Sequence, residues 1–219
     1  MPPIKNICLM PGLAFDRRMF QKLDLSPHEL QFLDWEEPLG DEPLRAYAER
    51  VSKKIVRNGL PLVLVGHSFG GVLAQEVGAL VGAEKVVLIS SIKSRRERPM
   101  FFKVLGALRL YRLVSTPLAL LTFPLWGKKH GYETAAERAL FRAMAGGHSS
   151  HYLRWALGSL SRWKGAGGLA CPVVHLHGDR DKTFPLRLIE KPVQVVEGGG
   201  HFMVYKQAQL VSDLILENI

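Results

Sequence analysis

Leu62-Val63-Leu64-Val65-Gly66-His67-Ser68-Phe69-Gly70-Gly71 is the stretch from which the rest of the chain can be read. Four apolar residues with no polar alternation predict a strand buried on both faces, as in a parallel sheet. The apolar spacing from Val72 to Val81 predicts a helix, opened by Gly70-Gly71. A strand passing into a helix through so short a turn puts Ser68 on a strained corner. Side chains two positions before and after it would collide, and glycine at 66 and 70 relieves them.

The same rhythm extends in both directions. Ile4–Met10, ended by Pro11-Gly12, Lys85–Ile89, Val173–Leu176 and Val193–Val196 are further apolar runs, and Gln31–Trp35 is a weaker sixth. Leu44, Tyr47, Val51 and Ile55 fall on one helical stripe, with Pro43 in its first turn and Gly59 past its end. Val204, Ala208, Val211 and Ile215 mark a C-terminal helix. Strands alternating with helices predict an α/β fold, a doubly wound, mostly parallel sheet of about six strands. The stretch 92–165 is too long for one crossover and reads as several helices. It divides the chain into a core, 1–91 and 166–219, and a helical insertion over one end of the sheet.

At 219 residues the chain is long enough to bury roughly 70% of the surface its unfolded form exposes, with no disulfide or metal required. Hydrophobic residues at 47% and charged residues at 22% exclude a disordered or fibrous chain. Cys8 and Cys171 do not make a disulfide framework, which suits a reducing compartment. The first ten residues lack a basic stretch followed by a long apolar run, and Leu113–Trp126 is too short to span a bilayer. A soluble, cytoplasmic protein is expected. The net charge of +9 is concentrated: 92–165 holds fourteen basic residues against three acidic ones, and the remainder is slightly acidic. That distribution speaks against general nucleic-acid binding; it suits an acidic partner or anionic surface at the insertion, and equally basic residues that only solvate the outer faces of amphipathic helices.

Gly66-His67-Ser68-Phe69-Gly70 matches G-x-S-x-G, and its strand–turn–helix setting is what a nucleophile elbow requires. A serine hydroxyl needs a general base held by a third group. Gly198-Gly199-Gly200-His201 follows the last strand and presents an imidazole at the sheet's carboxyl edge. His177-Gly178-Asp179-Arg180-Asp181 follows the strand before it and offers two carboxylates. Asp181, deeper in the loop, is the candidate orienting acid, and Asp179 is expected to stabilise the turn. Two backbone N–H groups should complete an oxyanion hole, from Phe69 and from Leu13 after the first strand.

With Ser68, Asp181 and His201 in the order Ser…Asp…His, the chain resembles the α/β-hydrolase superfamily. The likeness rests on Val65–Gly71, His177–Asp181 and Gly199–His201 and spans most of the chain outside the insertion, which sits where that family carries a cap. Met10-Pro11-Gly12 replaces the His-Gly common in the family's first loop, and the antiparallel edge strands of larger relatives have no counterpart. The resemblance implies a compact carboxylesterase-like serine hydrolase with a helical cap, acting on an ester or thioester, small or carried on acyl carrier protein, and needing no cofactor. Phe101, Phe102, Leu105, Leu108, Leu110, Leu120, Leu121, Phe123, Leu125 and Trp126 are candidates for an acyl tunnel or for the cap's own core. His175 with His177, and His148 with His151, have spacings that could chelate a metal, but neither pair has a third ligand at a recognisable spacing. His67 is expected to pack against the sheet. The same three residues would also serve C–C bond hydrolysis, elimination or perhydrolysis, and the fold alone would also allow a non-catalytic ligand-binding protein.

Overall fold

The computed structural model describes residues 3–127 and 130–219, without the side chain of Trp126. Lys128 and Lys129, counted above in the basic stretch, and the side chain of Trp126, a candidate tunnel residue, therefore lie outside the described residues. Six strands form one sheet in the order β2-β1-β3-β4-β5-β6, all neighbours parallel. They are β1 (Asn6–Met10), β2 (Glu29–Phe32), β3 (Leu62–His67), β4 (Lys85–Ile89), β5 (Val173–Gly178) and β6 (Gln194–Val196). β1 and β3 are buried along their whole length and β4 from Val86 onward, as helix-covered strands must be. β2 lies two to three residues earlier than its apolar run suggested. It is an edge strand with only partial cover, so its pairing with Asn6–Leu9 sets its limits more than its hydrophobicity does.

Helices α1 (Leu44–Ser52) and α2 (Phe69–Val81) cross between strands. Leu44, Tyr47 and Val51 are buried on α1 as expected. Ile55 is buried as well but lies beyond the helix end, where two short-range bonds, Lys54 N to Val51 O and Ile55 N to Ser52 O, tighten the chain. α2 begins three residues before the predicted Val72, directly after Ser68, and closes on Gly82 in the left-handed region. The C-terminal stripe is carried by two helices, α7 (Met203–Lys206) and α8 (Ala208–Glu217), broken at Gln207. Between β4 and β5 the chain forms α3 (Met100–Ala107), α4 (Thr116–Trp126), α5 (Ala135–Ala145) and α6 (Ser150–Arg162).

The registers decide where chemistry can occur. Met10 pairs with Gly66, His67 with Ile89 and Gly178 with Val196, so the strand ends gather at one rim. The order also reverses between β1 and β3, which makes this rim the sheet's switch point. Leu64, fully buried in β3, and Leu30, on edge strand β2 and 42% exposed, test the sheet order. Leu64→Ala should cost about 2–5 kcal/mol in urea unfolding, and Leu30→Ala about 0.5 kcal/mol or less. Equal losses would contradict a central β3.

Candidate active site

Ser68 sits on the corner between β3 and α2 with φ 52° and ψ −121°, a conformation side chains rarely adopt. Its backbone is held from three directions. Its N–H donates to Ile89 O (2.9 Å), and its carbonyl accepts from Gly71 N (2.9 Å) and from the Ser91 hydroxyl (2.6 Å). A Cβ at position 70 would come 2.2 Å from Met10 O, and one at position 66 would come 2.4 Å from Gly70 O. The start of α2 thus packs directly on the backbone that leaves β1, which no side chain larger than glycine's would permit.

The other two predicted residues meet Ser68 here. His201 Nε2 lies 3.0 Å from Ser68 Oγ, and His201 Nδ1 lies 2.8 Å from Asp181 Oδ2. All three residues are buried, the Asp181 side chain completely. The other oxygen of Asp181 accepts the N–H groups of Thr183 (2.8 Å) and Phe184 (2.9 Å). Burial alone would raise this carboxyl's pKa. The adjacent His201, through its charge and its hydrogen bond, and the Phe184 N–H act against burial, and the carboxyl is held below the ordinary value, so Asp181 stays ionised. With a carboxylate accepting at Nδ1, the His201 proton sits there and Nε2 faces the serine as an acceptor.

Asp179 does not play the turn-stabilising part expected of it. Its carboxylate takes no hydrogen bond among the described residues, and the backbone holds the turn, through Arg180 N to Gly199 O (2.8 Å) and Asp179 N to Val196 O (3.2 Å). A Cβ on Gly178 would come 2.1 Å from Gly199 O, so the Asp181 and His201 loops are pressed together at two glycines. The N–H of Phe69 opens α2, where no intrahelical acceptor reaches it. The N–H of Leu13 has no acceptor among the described residues. It belongs to a tight turn closed by Phe15 N to Gly12 O (3.0 Å), with Ala14 at φ 64°.

Three supporting histidines do more than their sequence setting suggests. His67 does not merely pack: its Nε2 lies 2.8 Å from the carbonyl of His201, and it is fully buried. Burial is the largest of the effects that push its pKa down to about 3, so it is neutral and donates to that carbonyl. His177 Nε2 lies 2.7 Å from Phe184 O and must carry the proton there. Its Nδ1 therefore accepts from His175 Nε2 (3.1 Å). The pair is turned inward on each other, not toward a shared metal. His151 meets Glu37 and the carbonyl of Gly40, and His148 meets the carbonyl of Phe15. No group of three or more His, Cys, Asp or Glu among the described residues could hold a metal ion. The neighbouring His-Ser and His-Gly pairs are visible in the sequence, but nothing local tells which buried histidine faces which carbonyl.

A cavity of about 240 Å³ opens on Ser68 and His201, lined mainly by apolar side chains including Leu13, Phe15, Phe102, Ala119 and Phe184. Of the nine candidate tunnel residues whose side chains are described, only Phe102 lines it. Leu105 and Phe123 are core, whereas Phe101, Leu108, Leu110, Leu121 and Leu125 are exposed, neither tunnel nor core. His201 also borders a second, more polar cleft of about 390 Å³, lined in part by Arg180, Lys182 and Lys206.

A parallel α/β sheet with a serine elbow at its switch point, faced by a His–Asp pair from the last two strand ends, defines the class of α/β hydrolases. Residues 11–214 match the Alpha/beta hydrolase family, and the chain belongs to it. Among solved structures, a lipase-esterase related protein of Clostridium acetobutylicum superposes with a TM-score of 0.72 at 14% identity, over 98% of this chain and 94% of that one. An enol-lactonase of Burkholderia xenovorans gives 0.69 at 16%, over 98% and 90%. The type II thioesterase of the yersiniabactin biosynthetic pathway gives 0.66 at 16%, over 99% and 93%. At such identities the likeness is one of fold. No curated protein matches the chain.

The buried histidines imply a pH dependence of stability. Burial, the largest effect on each, holds His67 and His175 down to about 3, whereas unfolded they protonate near 6.5. Between those values the unfolded chain binds more protons. The stability these groups contribute is therefore complete above 6.5 and lost as pH falls through that window, with Asp181 adding to the loss further down. The urea midpoint should drop steadily from pH 7 toward pH 4, and His175→Gln should flatten the slope. An unchanged slope in that variant would remove His175 from the account.

Proposed function

We propose that the protein is a serine hydrolase of carboxylic esters or thioesters, with Ser68 as nucleophile, His201 as general base and acid, and Asp181 as the group that orients it. The observation that carries this reading is the pair of contacts at 3.0 Å and 2.8 Å linking hydroxyl, imidazole and carboxylate, with the hydroxyl facing an apolar cavity. Ser68 Oγ attacks the acyl carbon while its proton passes to His201 Nε2. The negative charge moves to the carbonyl oxygen, which the N–H groups of Leu13 and Phe69 receive. Each such donor is worth roughly 3–4 kcal/mol of barrier. As the carbonyl re-forms, the bond to the leaving oxygen or sulfur breaks and that atom takes the proton from His201. Water, deprotonated by His201, then attacks the acyl-enzyme, and the proton returns to Ser68 as the acid departs.

The two hollows that His201 borders suit the two halves of such a substrate. The apolar cavity takes the acyl chain, and the cleft bordered by Arg180 and Lys182 takes a polar or anionic leaving group. The neighbours described as an enol-lactonase and a type II thioesterase carry out chemistry of this kind on the same fold. In this reading 1–91 and 166–219 are the catalytic core, 92–165 is a cap that walls the acyl cavity, and the protein acts in the cytoplasm with no bound cofactor.

A fluorophosphonate probe should label Ser68, and Ser68→Ala should lower turnover of a p-nitrophenyl ester by about three orders of magnitude or more. Labelling of the Ser68→Ala variant, or residual turnover within about tenfold of wild type, would sink the assignment. The cavity makes a second prediction. Each methylene it buries should raise kcat/KM about fourfold, from roughly 0.8 kcal/mol per methylene, until the cavity is full. Ala119→Phe, which fills part of the lining, should move the optimum to a shorter chain; an unmoved optimum would place the acyl group elsewhere.

A further inference from the structure

Among the described residues fifteen large apolar side chains are exposed, and nine of these lie between Met100 and Leu125. They are not scattered. Phe101, Val104 and Leu108 run along α3 and its C-cap, and Leu118, Leu121 and Leu125 along α4, each set spaced i, i+3, i+7 on one helix face. Phe101 is 67% exposed, Leu121 77% and Leu125 86%. The inner faces are occupied: Phe102, Leu105 and Phe123 are buried, and Phe102 with Ala119 lines the cavity over Ser68. Helices apolar on both sides are normally covered on both sides.

The charges nearby have one sign. From Ile92 to Tyr132 the chain holds a single acidic residue, Glu97, which is fully buried and accepts the backbone N–H groups of Lys93 and Glu190. Arg95, Arg96, Lys103, Arg109 and Arg112 form no ion pair among the described residues.

We propose that the outer faces of α3 and α4 dock on an anionic lipid surface, the apolar stripes entering the headgroup region and the cations meeting lipid phosphates. Charge supports this occupant: Lys103 on α3, and Arg109 and Arg112 just beyond its end, are exposed and without ion pairs among the described residues. Long cationic side chains at the border of an apolar stripe can snorkel to headgroup level while the stripe goes deeper. A second copy on the same face would bring these unpaired cations against themselves. With eight and eleven residues the helices lie on a bilayer and do not cross it, and no helix among the described residues is long and apolar enough to do so.

Binding is read without turnover, so the docking and the hydrolase reading can fail separately. The full chain should co-float with phosphatidylcholine vesicles containing about one third phosphatidylglycerol, and far less with phosphatidylcholine alone. Phe101→Ser/Leu121→Ser/Leu125→Ser should lower partitioning at least about tenfold. Arg95→Gln/Arg96→Gln/Lys103→Gln should lower it by roughly fivefold per charge removed. Both variants should hydrolyse a soluble short-chain ester at the wild-type rate, which also reports folding. Should the apolar variant misfold, the charge variant alone decides. Wild type absent from the floated fraction, or a charge variant that partitions like wild type, would overturn the proposal. So would retention on an immobilised acidic carrier protein without flotation, or a two-chain mass by light scattering that reverts to one chain in the apolar variant.

Discussion

The backbone of α2 touches the backbone leaving β1, and the rest of the site follows from that contact. With nothing but hydrogen at position 70, the helix starts within van der Waals reach of Met10 and Pro11 carbonyls, so the chain must turn sharply at Ser68. The turn throws the hydroxyl up from the rim and leaves the first N–H of α2 unpaired beside it. The same contact brings the loop with Leu13 alongside the serine, although that loop lies over fifty residues earlier. A strained φ at Ser68 persists because Ile89, Gly71 and Ser91 all bond its backbone, so relaxing it would break three hydrogen bonds at once.

The imidazole is placed by a second close approach, Gly178 against Gly199, and then by polar bonds that leave it little freedom. Asp181 is a fully buried carboxylate, and such a charge is tolerated only where donors surround it. Two backbone N–H groups and His201 supply them. His177 holds the carbonyl of Phe184, the residue whose N–H faces Asp181, and His67 holds the carbonyl of His201 itself. Because burial keeps these outer histidines neutral, they orient the pair without adding a positive charge beside His201.

This division also explains what can be read from the residues alone. β1, β3, β4 and β5 are near-continuous apolar runs because both faces are covered, and such runs are visible without any structure. The serine, aspartate and histidine are legible because each sits in a glycine-bearing turn after such a run. β2 is displaced because an edge strand's limits come from pairing, and the C-terminal stripe conceals a break at Gln207 because burial continues across it. The parts played by His67 and Asp179 are hidden for a related reason. A hydrogen bond across 134 positions leaves no local trace, and a turn aspartate looks the same whether its side chain or the backbone closes the turn.

The helical segment marks where hydrophobicity stops being informative. Phe101 and Phe102 are adjacent and identical in type, yet one is 67% exposed and the other walls the cavity. Periodicity assigns a face only when the other face is polar, and α4 presents Leu118, Leu121 and Leu125 outward while Phe123 faces in. An apolar outer face costs solubility and contributes nothing to the packing beneath it. With such a face on both helices that border the cavity, neither of which carries an acidic residue, the inner and outer apolar surfaces are separated by no more than one helix. That arrangement makes α3 and α4 a partition between the apolar cavity above Ser68 and whatever apolar phase covers them.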